Sequence, residues 1–226
     1  MVTIGIVDDG VGIFPALYKL KQVVPSNVVA LVTADNFHTL DKRKLCSLAE
    51  MYVDVLKNRG CDCVVFSSVD LSMASYKHLT AQTDYPIFGC EAPINHATTY
   101  TISNVLVCGG PKVKYVRQPN VIACPLPEFP ALAEAGNIKN IVEYIRQTTA
   151  PFDGQFDCIA LAHSAMNLYK NCFARVFPNV QIFDSLDGVA RRIRKRYKKY
   201  AKEDGDVTLM DPSGNDLSAK YAHFLQ

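Results

Sequence analysis

The chain has 226 residues, 49% of them hydrophobic and 20% charged, with a formal net charge of only +2. Nothing in that balance calls for nucleic acid, a membrane surface or an acidic partner, and the length suffices for one large core or two lobes of roughly 100 residues each. No apolar run approaches the ~18 residues of a membrane helix, and the amino terminus enters a strand at once instead of offering a signal peptide, so a soluble cytoplasmic protein is expected.

Val2 to Val7 is a β-rich run that stops at Asp8-Asp9-Gly10-Val11-Gly12, and Phe14 to Leu20 then opens a helical pattern. Val28 to Thr33 reads as a second strand, ending at Ala34-Asp35-Asn36. From Leu40 to Arg59 apolar residues recur at helical spacing (Leu45, Leu48, Met51, Tyr52, Val55, Leu56) and close on Gly60, a helix stop. A strand from Cys63, a helix near Ala74 to Thr80 and a strand from Pro86 to Phe88 follow. The order then repeats: Val105 to Cys108 before Gly109-Gly110-Pro111, a strand at Val121 to Ala123, a helix from Ile138 to Arg146, and strands at Cys158 and Ile182.

Asp62-Cys63-Val64-Val65-Phe66-Ser67-Ser68 and Asp157-Cys158-Ile159-Ala160-Leu161-Ala162-His163-Ser164 read alike at an offset of 95 residues, which Ile87-Phe88 and Ile182-Phe183 share. Both apolar runs end in small polar side chains, where α/β folds place their chemistry. The expected fold class is α/β, with two pseudo-symmetric lobes, each a parallel sheet covered by helices, and an active-site cleft between them. Residues 1–97 make the first lobe, with 204–226 returning to it, and 98–203 make the second.

Ala190 to Lys202 is dense in positive charge, with Ile193, Tyr197, Tyr200 and Ala201 at helical spacing. One reading is a patch for nucleic acid or an acidic partner; the pattern favours a solvated helix face with one apolar stripe docked on the core. Of eight cysteines, Cys63, Cys90, Cys108, Cys124 and Cys158 lie in or beside apolar strands, as reduced thiols that act as small buried hydrophobes do. Cys61-x-Cys63 is a poor zinc half-site, because no second Cys or His pair stands at ligand spacing, and no metal is expected.

The opening Ile4-Gly5-Ile6-Val7-Asp8-Asp9-Gly10-Val11-Gly12 resembles the strand and Asp-Ser-Gly-Val-Gly of glutamate racemases, within the aspartate/glutamate racemase superfamily. Ala123-Cys124-Pro125-Leu126 and Phe129-Pro130-Ala131-Leu132-Ala133-Glu134-Ala135-Gly136 resemble that family's Ala-Cys-Pro-Leu stretch, and Phe183-Asp184-Ser185 with Ala190-Arg191-Arg192 its close. The resemblance implies a cofactor-independent isomerase in which one cysteine thiolate removes the substrate's α-proton and an opposite thiol returns one. A thiol suits both tasks because its pKa near 8.5 is tunable.

The departures fall at the centre of that chemistry. Ser67 occupies the place of the first cysteine, His163 that of the second, and Ala165 that of the assisting histidine. A serine hydroxyl cannot replace a thiolate without strong activation, whereas imidazole has a suitable intrinsic pKa near 6.5. Asp8 matches the family's acidic helper, though a position before a Gly turn also suits a helix cap, and Glu134 matches a glutamate near the second cysteine. Asp9 replaces a serine that contacts substrate, placing like charge where a carboxylate would sit. Cys63 and Cys158 are no substitutes, lying near the starts of their strands, roughly 16 Å from the polar ends at about 3.3 Å per residue.

The catalytic positions are therefore assigned to Asp8, Ser67, His163 and Glu134, and substrate contacts to Asp9, Ser68 and Ser164. The first reading is a racemase-like pseudoenzyme that binds a small carboxylate, an amino acid or a protein. The alternative is a racemase, isomerase or decarboxylase acting on a small carboxylic acid with His163 as base. No cofactor is implied. The family implies a homodimer, and the basic helix 190–202 is the expected contact for a protein partner.

Overall fold

The computed structural model describes residues 1–197 and 205–225. In chain order the elements are β1 (Val2–Asp8), α1 (Ile13–Val23), β2 (Ser26–Val32), α2 (Lys42–Asn58), β3 (Cys63–Phe66), α3 (Val69–Thr80) and β4 (Ile87–Gly89). Next come α4 (Ile94–Tyr100), β5 (Val105–Gly109), β6 (Val121–Pro125), α5 (Phe129–Ala135), α6 (Ile138–Thr149), β7 (Cys158–Leu161), α7 (Ser164–Leu168), α8 (Lys170–Val176) and β8 (Gln181–Phe183). The chain closes with α9 (Leu186–Tyr197) and β9 (Val207–Met210).

Two compact units result, Met1–Cys90 with Leu186–Gln226, and Glu91–Ser185. The first holds a sheet in the order β4-β3-β1-β2-β9, the second a sheet in the order β6-β5-β7-β8. All pairings within both sheets are parallel. Reading β2-β1-β3-β4 against β6-β5-β7-β8 reproduces the repeat, and β3 and β7 carry the 95-residue offset without a gap. Parallel strands need crossover connections, and the intervening helices bury both faces, which is why the strands are apolar along their length.

Local chemistry sets the helix ends. Asp41 caps α2 by accepting from the Lys44 amide at 2.8 Å, and Gly60, at φ +77°, takes the left-handed conformation that stops it. Asn137 caps α6 by accepting from the Asn140 amide at 3.1 Å. Helix α3 begins at Val69, well before Ala74, because Ser68 supplies a cap there.

The joins between units differ from those expected. Residues 91–97 belong to the second unit, because Ile94 and Ala97 of α4 bury against Val105, Val107 and Cys158. Helix α9, expected in the second lobe, packs on α1 and β4 of the first, and β9 extends that unit's sheet beside β2. Ile193 and Tyr197 are both buried, so that part of the basic segment is a docked amphipathic helix; Tyr200 and Ala201 lie outside the described residues. Among the described residues no helix is long and apolar enough to cross a membrane.

Leu56 of α2 is fully buried over the central strand β1, where a Cβ on Gly5 would stand 2.8 Å from its Cδ1. Glycine in β1 is thus the space that Leu56 fills. Leu56→Ala leaves a cavity that helix and strand cannot close, and is expected to cost about 2–5 kcal/mol. A shift in the guanidinium unfolding midpoint measures it, and a loss below about 1 kcal/mol would contradict this packing.

Candidate functional site

In the first unit the parallel register pairs Val7 with Phe66, so Asp8 ends β1 beside Ser67, the residue after β3. The Ser67 amide donates to the Val7 carbonyl at 3.1 Å. Its hydroxyl has two acceptors, the Asp8 carboxylate Oδ2 at 2.7 Å and the Val7 carbonyl at 3.0 Å. The single proton favours the carboxylate, which is nearer and charged. Asp8 is 1% exposed and Ser67 fully buried, so each partner matters to the other.

The N-cap residue of α1 is Gly12, not Asp8, whose Oδ1 accepts from the Asp9 amide at 3.0 Å. Asp9 in turn receives the Phe37 amide on Oδ2 at 2.8 Å. A third carboxylate, which sequence reading did not select, stands just past β2: Asp35 accepts from Thr33 Oγ1 at 2.7 Å and from the hydroxyl of fully buried Tyr52. Burial, and then the bond to Asp35, push the Tyr52 phenol well above its ordinary range, so it stays a donor. The signal was present as Ala34-Asp35-Asn36, polar residues closing a strand, but nothing local told that Tyr52 would reach them from α2.

In the second unit His163 follows β7 and caps α7, its Nδ1 accepting from the Ala165 amide at 3.2 Å. It is 8% exposed, and Ser164 beside it is buried too. Accepting at Nδ1 occupies that nitrogen's lone pair and leaves the proton on Nε2, so His163 presents a donor. Taking a second proton at Nδ1 would cost the cap. Glu134 lies elsewhere, exposed on α5 and close enough to Tyr169 to join burial in raising that phenol.

The internal repeat sharpens the comparison between units. Ser68 caps α3, accepting from the Leu71 amide at 3.4 Å, as His163 caps α7, and the two are 95 residues apart. By strand geometry the twin of His163 is therefore Ser68, while Ser67 has Ala162 as its twin and Asp8 has Gly109. The hydroxyl–carboxylate pair of one unit becomes Ala162 and Gly109 in the other, where a Cβ on Gly109 would stand 3.1 Å from the Ala162 methyl. The backbone repeats, and its polar chemistry does not.

All eight cysteines are free thiols. Cys63 and Cys158 open β3 and β7 at the amino ends, where burial pushes them up to about 12 and about 11. Cys90, Cys108 and Cys124 do stand near carboxyl ends, just past β4 and on β5 and β6, but all are buried. Cys108 faces Cys124 across the β5–β6 register, and donation to Cys124 together with full burial raises its pKa well above the ordinary value. Neither strand end that bears Ser67, Ser68 or His163 holds a thiol.

Ser67→Ala removes the donor from Asp8 and is expected to cost about 1–3 kcal/mol, read as a lower unfolding midpoint; an unchanged midpoint would mean the bond contributes nothing net. For His163, ring nitrogen chemical shifts at neutral pH are expected to show the Nε2–H tautomer, and a protonated Nδ1 would contradict the cap.

No protein-family model matches the chain. Over 217 residues it is 22% identical to the glutamate racemase of Lachnospira eligens, covering 87% of this chain and 82% of that one. Glutamate racemase from Campylobacter jejuni is similar in structure with a TM-score of 0.78 at 16% identity, over 99% of this chain and 97% of that one. Escherichia coli glutamate racemase, solved with L-glutamate and the activator UDP-MurNAc-ala, gives a TM-score of 0.74 at 15% identity, over 93% of this chain and 88% of that one. These likenesses give the chain the fold of the glutamate racemases, enzymes of the aspartate/glutamate racemase superfamily.

Proposed function

We propose that this chain is a divergent member of that superfamily, a pseudoenzyme that binds a small amino acid without exchanging its α-proton by the two-thiol route. The observation that carries the reading is the asymmetry of the strand ends. Racemisation by two equivalent bases needs an acid/base group on each side of the reacting carbon. Here one unit offers Ser67 bound to Asp8 with capping Ser68, and the other offers capping His163 above Ala162 and Gly109.

Proton affinities point the same way. A carboxylate is far too weak a base to take the proton of a serine hydroxyl, so the Ser67–Asp8 bond holds a dipole in place without generating an alkoxide. The base role for His163 would require it to abandon the Ala165 amide, which leaves a buried donor unpaired at about 1–3 kcal/mol. Asp8, Asp9 and Asp35 make the first unit's strand ends negative, which favours a ligand that brings an ammonium group over one that brings only carboxylates. The glutamate bound by the E. coli relative carries such a group.

The test is proton nuclear magnetic resonance of L- and D-glutamate and L- and D-aspartate incubated with the protein in deuterium oxide, alongside thermal unfolding with each amino acid. The expected result is an unchanged α-proton signal together with a raised Tm for at least one amino acid. Exchange above the buffer rate, abolished by Ser67→Ala or His163→Ala, overturns the loss of racemisation. No stabilisation by any amino acid overturns the binding role.

A further inference from the structure

Eight of the 24 Lys and Arg residues fall within residues 191–202, which contain no Asp or Glu, so the rest of the chain carries 16 basic against 22 acidic residues. Four of the nine arginines occupy Arg191 to Arg196 alone. The described part of this run is the last half of α9, a helix of the first unit, and Arg191, Arg192, Arg194, Lys195 and Arg196 are all exposed.

Helical spacing separates two faces. Val189, Ala190, Ile193 and Tyr197 are buried, and Arg191, Arg194 and Lys195, three and four residues apart, form the ridge opposite. One cation anchors the helix, since Arg192 donates to the Gly89 carbonyl at 2.6 Å and lies over the Tyr76 ring, while Arg196 lies over Tyr197 of the same helix. Asp187, the acid one turn earlier, is paired with Lys19 at 2.6 Å. Arg191, Arg194 and Lys195 have no hydrogen bond or ion pair among the described residues.

We propose that this face of α9 binds the phosphate backbone of double-stranded nucleic acid. Three features favour that occupant. The run is rich in arginine, whose planar fork matches phosphate oxygens. Arg191 to Arg196 spans about 7.5 Å of helix axis at about 1.5 Å per residue, the length of roughly two phosphate steps on one strand. The apolar residues of α9 face the protein, so the helix has nothing to insert into a lipid surface, which an interfacial helix requires. Recognition is electrostatic and independent of sequence.

The experiment is fluorescence anisotropy of a labelled 24-base-pair DNA duplex titrated with the full chain between 50 and 200 mM potassium chloride. The expected result is saturable binding at 50 mM that weakens about 40-fold or more by 200 mM, as release of counterions from about three phosphates requires. The double variant Arg191→Glu, Lys195→Glu is expected to bind at least tenfold more weakly with an unchanged circular dichroism spectrum. The milder Arg191→Gln, Lys195→Gln pair serves if the charge reversals unfold. No binding at 50 mM, binding that both folded variants retain, equal competition by polyglutamate, or tighter binding to phosphatidylserine vesicles would each overturn the proposal.

Discussion

The register of β3 against β1 is the constraint on which the first unit's chemistry depends. Because Val7 pairs with Phe66, the carboxylate closing the central strand and the hydroxyl just past its neighbour meet at 2.7 Å in a place that water barely reaches. A slip of one residue would turn every β3 side chain to the opposite face and leave Asp8 buried without this donor. The apolar strand residues around the pair prevent that slip, since Val64, Val65 and Phe66 are fully buried. Packing on two faces therefore holds the polar contact, and the polar contact in turn satisfies a charge that would otherwise be expensive to bury.

The same backbone plan in the second unit carries a different set of side chains. Its central strand ends in Gly109 and its neighbour continues into Ala162, so the equivalent point holds no polar group. The polar side chain moves one residue on, to His163, where it serves the first turn of α7. A repeated fold with unlike strand ends preserves two scaffolds but not two thiols, and inversion at carbon by two bases demands a competent proton donor or acceptor on each face of that carbon. That physical requirement, more than the identity of any one substituted residue, is what the proposed loss of two-thiol racemisation rests on.

Electrostatics divides the first unit as well. Carboxylates Asp8, Asp9 and Asp35 gather where β1 and β2 end, each accepting hydrogen bonds from backbone amides or hydroxyls, while the cations concentrate on the outer face of α9. The near-zero net charge of the whole chain conceals both concentrations, because long-range fields depend on distribution and not on the sum.

Alternation of apolar runs with helical spacing, and polar residues at strand ends, were enough to read an α/β chain with an internal repeat, and Asp8, Ser67 and His163 were legible as strand-end residues. Gly60 was legible as a helix stop because the left-handed conformation that ends a helix costs glycine least. Tertiary structure decided what local pattern does not encode. The chain returns to the first unit at α9, because that helix packs on α1 and β4 with Ile193 and Tyr197 buried, and the Tyr197 hydroxyl reaches the Asp62 carbonyl at 3.3 Å, contacts roughly a hundred residues or more apart in sequence. It brings Tyr52 to Asp35 from a different element and makes Ser68, not Ser67, the geometric twin of His163. Residue type and periodicity determine which side chains are available at the ends of strands; hydrogen-bond register and long-range packing determine which of them meet, because those depend on partners that the local sequence does not contain.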